Sequence, residues 1–99
     1  MTLAAVMAAL SDPVRVRIVR GLDSLGETSC GTFELGISKA TRSHHLKVLR
    51  EAGLTHTRAE GTHRYVSLRR EDVDSRFPGL LGAVLAAAEA EAGATAVPS

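Results

Sequence analysis

Apolar residues recur along this chain at two spacings, and the changes between them mark out the elements. Leu3, Val6, Met7 and Leu10 stand at i, i+3, i+4 and i+7, one stripe of a short helix that Thr2 caps. Ser11-Asp12-Pro13 breaks and restarts the chain, with Asp12 as N-cap and Pro13 at the first helical position. The second helix turns Val14, Ile18 and Leu22 inward and leaves Arg15, Arg17 and Arg20 in water. Past the polar stretch SLGETS, a third helix is placed near Ser29 to Leu35, with Cys30 and Phe33 facing inward. Ser38 and Gly53 bracket a fourth helix over Lys39 to Ala52, the serine as N-cap and the glycine as left-handed stop. Leu54 to Leu68 carries strand-forming residues on both sides of Glu60-Gly61 and reads as a β-hairpin. Arg69 to Arg76 reads as a charged connector. Pro78 opens a last helix to about Glu91, on which Phe77, Leu80, Leu81, Val84, Leu85 and Ala88 make a broad apolar face.

The helix over 39–52 carries two chemistries. Steps of 100° put His45, Leu46 and Leu49 on one side with Arg42, and Ala40, His44, Lys47 and Glu51 on the other, flanked by Ser43. A packed face beneath a row of small, hydroxyl, imidazole and cationic groups suits a helix laid in the DNA major groove. Upstream, FELGIS supplies a helix end, the flexible Gly36, an apolar Ile37 and the Ser38 cap, which together read as a helix-turn-helix corner. The hairpin after the helix is then a wing. Pairing Arg58 with Thr62 across a three-residue Ala59-Glu60-Gly61 loop sets Leu54 opposite Val66, on one face with Leu68, and leaves Arg58 and Arg64 near the tip. The expected fold is mainly α with a β-hairpin, a winged helix-turn-helix of about five helices and a two-stranded wing. Residues 1–92 form its single domain and 93–99 a loose tail.

The runs LSDPVRVRIVRGL (10–22), SKATRSHHLKVLREAGL (38–54) and EGTHRYVSL (60–68) resemble the ArsR/SmtB family of winged helix-turn-helix repressors over residues 10 to 70. The resemblance implies a homodimeric bacterial repressor on a pseudo-palindromic double-stranded DNA operator, its first and last helices forming the dimer contact. The expected DNA-facing set is Ser38, Lys39, Ala40, Thr41, Arg42, Ser43, His44 and Lys47 on the helix, with Arg58, Thr62, His63 and Arg64 on the wing. The expected dimer contact joins Leu3, Val6, Met7 and Leu10 to Phe77, Leu80, Leu81, Val84, Leu85 and Ala88. Arg42 departs from the family, which usually has an apolar residue there, so its charge must leave the packed face or find a partner.

Composition adds a boundary on each side. The 99 residues, 44% hydrophobic and 23% charged, fit one domain, and dimerisation would help so small a core. No long apolar run or basic leader argues for a membrane or secretory route, so a cytoplasmic protein is expected. The net charge is only +1, yet residues 38–70 hold eight Lys/Arg against Glu51 and Glu60, together with all four histidines. Such a basic face on an acidic body fits DNA binding by one side. A winged-helix module binding an acidic protein partner is the alternative, but Ser43, His44 and Lys47 offer base-reading donors and little apolar area.

Chemistry beyond binding finds little to work with. A thiolate metal site of the family type needs Cys-x-Cys near the third helix, and Cys30 stands between Ser29 and Gly31. The other family site needs imidazoles and carboxylates on the last helix, where residues 77–99 offer only Glu89 and Glu91. His56 and His63 fall on opposite faces of the wing in the register above, and His45 points inward as a packed, hydrogen-bonded histidine. No metal, cofactor or enzyme activity is expected, and no residue pattern specifies an effector. A redox- or metal-responsive variant of the same repressor stays open through Cys30, whose simpler reading is a small buried apolar residue.

Overall fold

The computed structural model describes residues 1–32 and 35–96. Its five α-helices are α1 (Leu3–Ala9), α2 (Pro13–Leu25), α3 (Lys39–Ala52), α4 (Arg70–Arg76) and α5 (Leu80–Ala96). Strands β1 (Thr28–Ser29), β2 (Thr55–Glu60) and β3 (His63–Leu68) form an antiparallel sheet in the order β1-β3-β2. The first three helices start where the sequence places their caps. Thr2 Oγ1 accepts from the Ala5 amide at 3.2 Å, Asp12 Oδ1 from Val14 at 2.8 Å, and Ser38 Oγ from Thr41 at 3.1 Å. Each bond satisfies an amide that the helix itself leaves open. Gly53 ends α3 at φ +88°, where a Cβ would be strained and would meet the Met1 side chain at 3.0 Å.

The core draws on every helix and the wing. Val6, Ile18, Val19, Leu22, Leu49, Leu54, Val66, Val73 and Leu81 have fully buried side chains. α1 packs on α3, while α5 packs on α2 and α4.

Three expectations fail here, each for a tertiary reason. Among the described residues of the stretch Ser29 to Leu35 no α-helix forms: Thr28 and Ser29 pair with Val66 and Tyr65 as a third strand, and Cys30–Thr32 form one 3₁₀ turn. The sheet edge gives the backbone of this Ser/Thr/Gly-rich stretch the hydrogen bonds that weak helix formers do not secure for themselves. The wing is therefore the outer part of a three-stranded sheet; Phe33 lies outside the described residues.

Arg69 to Arg76 is not a connector but carries α4. One buried side chain, Val73, anchors it, and Arg70 pairs with Asp74 at 3.0 Å along the helix and with Asp23 of α2 at 2.7 Å. Exposed ion pairs contribute little, so the burial of Val73 is the stronger anchor. α5 also continues past Glu91 to Ala96, as its alanine-rich sequence favours.

The hairpin loop has two residues, not three. Glu60 pairs with His63 and Thr57 with Val66, with Gly61 at φ +60° in the first loop position, where a type II′ turn requires glycine. Leu54 nonetheless reaches the core because it sits in the bend before β2, and its direction is not set by the pleat. In this register His56 and His63 share a face, opposite Ser67 and Glu60 respectively, instead of lying on opposite faces.

Candidate nucleic-acid interface

The two faces of α3 are divided as its sequence requires. His45, Leu46 and Leu49 are buried, while Lys39, Ala40, Thr41, Ser43, His44 and Lys47 are exposed. Arg42 is half-exposed, so its charge escapes the packed face toward the wing. Ser38 Oγ, the cap, also donates to Thr41 Oγ1 at 2.9 Å, which holds both hydroxyls at the start of the helix.

Arg15 fixes this helix against the body of the molecule, and sequence periodicity misassigned it as a wet residue. Its Nε donates to the Ala9 carbonyl at 2.7 Å, at the end of α1, and its Nη1 lies 3.1 Å from His45 Nδ1. A guanidinium only donates, so Nδ1 accepts and the ring proton sits on Nε2. The buried, hydrogen-bonded His45 expected from the sequence is therefore present, with a partner 30 positions away. Burial pushes the neighbouring Asp12 carboxyl up, but the amides of Val14 and Arg15 and the charge of Arg15 outweigh it and hold it below its ordinary value.

On the wing, Thr62, His63 and Arg64 are exposed, whereas Arg58 is occupied. Its Nη2 donates to Glu27 Oε1 at 2.7 Å, its Nη1 to Glu60, and its guanidinium lies 4.7 Å from the centre of the Tyr65 ring. Bonding to Glu27 and then Glu60 raises the Arg58 pKa, and the same bond holds the Glu27 carboxyl below its ordinary value. Arg58 lies opposite Tyr65, two positions back from the Glu60–His63 pair that closes the hairpin, so it is not the tip residue the longer loop implied. Glu27 was not a candidate, because only the pairing of β1 with β3 brings it to the wing.

The remaining candidates divide. Cys30 is half-buried; burial pushes its thiol up, against the opposing pull of Arg42 and Arg64. No group of three His, Cys, Asp or Glu side chains suited to a metal ion occurs among the described residues. Of the expected dimer residues, Val6 and Leu81 are fully buried in the protomer's own core and are unavailable to a second copy. Leu3 and Met7 are 47% and 56% exposed, and Leu10, Phe77, Leu80, Val84, Leu85 and Ala88 are half-buried. None of the described helices is long and apolar enough to cross a membrane.

A capped helix with an exposed polar face, followed at once by a hairpin, is the arrangement of a winged helix-turn-helix domain. A helix-turn-helix domain model matches residues 10–58. The chain is 46% identical over 81 residues to the uncharacterized HTH-type transcriptional regulator YceK of Bacillus subtilis (strain 168), covering 79% of this chain and 81% of that protein. The crystal structure of the transcriptional repressor BigR from Xylella fastidiosa superposes with a TM-score of 0.62 at 32% identity, over 76% of this chain and 85% of BigR. The fold is also that of a solved ArsR family transcriptional regulator, with a TM-score of 0.59 at 23% identity over 94% of this chain and 88% of that one. This chain belongs to the ArsR/SmtB family of winged helix-turn-helix proteins and is a DNA-binding transcriptional regulator.

Proposed function

We propose that the protein is a cytoplasmic, homodimeric repressor that lays residues 39–47 in the major groove of a pseudo-palindromic operator and rests its wing on the backbone or minor groove. The observation that carries this reading is the exposed row Ala40, Ser43, His44 and Lys47 on a helix whose opposite side is locked by Leu46, Leu49 and the Arg15–His45 contact. Small and hydroxyl residues let the helix approach, and the imidazole and ammonium groups reach base edges. Ser38, Lys39, Thr41 and Arg42 flank that row, and Thr62, His63 and Arg64 supply the wing contacts; Arg58 holds the wing to Glu27 instead of reaching DNA. Residues 1–92 act as one DNA-binding and dimerisation domain with no catalytic step and no resident metal or cofactor.

Selection from random duplexes tests this directly, since a repressor of this kind enriches an inverted repeat with half-sites about one helical turn apart, or a multiple of it. On that operator, His44→Ala and Lys47→Ala should each cost about 1 to 3 kcal/mol and change the preferred base at one position. Equal binding of operator and scrambled duplex by wild type and both variants would remove groove insertion as the mode of action.

A further inference from the structure

Of the four histidines only His45 is buried, 8% exposed on the packed face of α3, next to the exposed His44. Its Nδ1 lies 3.1 Å from Arg15 Nη1, and a guanidinium has only protons to give, so the contact exists only while Nδ1 keeps its lone pair. Arg15 is held independently on its other side. Its Nε donates to the Ala9 carbonyl at 2.7 Å and its Nη2 to the Ala8 carbonyl at 3.4 Å, at the C-terminal end of α1. Those carbonyls are the open acceptors of a helix end and take a cation whatever the state of His45. A proton on Nδ1 would set two donors and two positive charges against each other, and the α3 side of the contact is the one that yields. The charged groups round His45 are few. α1 (Leu3–Ala9) carries no ionisable side chain. α2 brings Arg15 and, at its N-cap, Asp12, whose carboxylate is within electrostatic reach of both Arg15 and His45 but already accepts from the Val14 and Arg15 amides. α3 itself brings His44, its ring centre 5.9 Å away, and one turn back Arg42, which turns toward the wing. β2 meets α3 on the side of Arg42, Leu46 and Arg50; its His56 is exposed, and its Arg58 and Glu60 are bonded to each other.

We propose that Arg15 and His45 form a proton-operated latch on the recognition helix: neutral His45 holds α3 in its DNA-reading position, and protonated His45 releases it. His44 stands next to the latch and Lys47 about half a turn beyond, so a shift of α3 moves both base-reading groups together. Protons and operator then compete, and by linkage each weakens the binding of the other. An imidazole ordinarily titrates near pH 6.5, so mild acidification is the signal such a latch reads. The latch itself rests on two side chains, whereas its effect on operator affinity rests on the groove insertion proposed above.

The ring and guanidinium nitrogen resonances of the DNA-free protein, followed by NMR from about pH 8 to about pH 5.5, test the latch. At the alkaline end His45 should show a protonated Nε2 and a bare Nδ1. On acidification the Arg15 guanidinium signals should move with the same midpoint as the His45 ring while the circular dichroism stays native. In His45→Asn, whose amide oxygen takes the place of Nδ1 and does not titrate, the Arg15 signals should stay put. The wild-type titration needs no variant, so it decides the latch even where His45→Asn does not fold. Operator affinity is measured over the same range at fixed ionic strength for both proteins, in which the exposed His44 and His63 charge alike. The two should bind equally at about pH 8. At about pH 5.5 wild type should be about tenfold weaker than His45→Asn, the cost of one proton a full unit below the ordinary imidazole value. A His45 ring that stays neutral throughout, or one that protonates without moving Arg15, overturns the latch. Operator affinities of wild type and His45→Asn that keep a constant ratio across the range overturn it as well. If neither protein prefers operator to scrambled duplex at any pH, groove insertion is what has failed, and the NMR titration decides the latch alone.

Discussion

Thr55 is 2% exposed, and its hydroxyl has no hydrogen-bond partner among the described residues. A buried hydroxyl without a partner loses its water and gains nothing back, so Thr55→Val, equal in shape, should raise unfolding free energy by about 1 kcal/mol. Urea titration with an unchanged m-value checks it; a lower midpoint would mean that the hydroxyl is satisfied. Two carboxyls make stability depend on pH at the same scale. Asp12 and Glu27 both lie below their ordinary values in the folded chain. The stability they add is therefore present above the unfolded carboxyl pKa of about 4 and is lost as pH falls through the lower folded values. The urea midpoint of wild type should drop more between about pH 5 and about pH 3 than that of an Asp12→Asn/Glu27→Gln double variant, in which the introduced amide oxygen still caps α2. Parallel curves would show that these two groups do not set the acid limb.

Among the elements, the wing separates two arginines that sequence alone treats alike. Arg64 is exposed and free of carboxylates among the described residues, whereas Arg58 is bonded to Glu27 and Glu60 and stacked by Tyr65. Arg64→Ala should lower affinity on all duplexes and make the slope of log K against log salt shallower by about one unit for the lost phosphate contact. Arg58→Ala should leave that slope nearly unchanged and instead loosen β1 from the wing, read as faster amide exchange at Thr28 and Ser29. Equal changes in slope for the two variants would put Arg58 on the DNA as well.

For the whole molecule, the question is what the remaining apolar surface covers. Leu3 and Met7 stand out from α1, and Val84, Leu85 and Ala88 are only half-covered on α5. A core drawn from 99 residues gains most from sharing such surface with a second copy. Met7→Asp and Val84→Asp should yield folded monomers by sedimentation at micromolar concentration, with cooperative urea unfolding retained. Leu81→Asp should unfold the protomer instead, because that side chain is already fully buried within it. Variants at Met7 and Val84 that stay dimeric would place the contact elsewhere.

The elements that the sequence determined are those whose signals are local. Thr2, Asp12-Pro13, Ser38 and Gly53 fix helix ends through their own hydroxyl, carboxylate or missing Cβ, and the two faces of α3 follow from a 3.6-residue repeat. These sufficed for α1, α2 and α3 and for the exposed row Ala40, Ser43, His44 and Lys47. What only the tertiary structure decided depends on partners far along the chain. The stretch after α2 pairs as a strand because β3 offers an edge, and α4 forms around a single buried Val73 too isolated to show a period. The hairpin register follows Gly61, while Leu54 enters the core from a bend outside the ladder. Arg15 leaves water for His45, and Arg58 pairs with Glu27 across the sheet. A charged side chain carries no periodic signal of its own, so its role is set by whichever opposite charge or acceptor folding brings within reach.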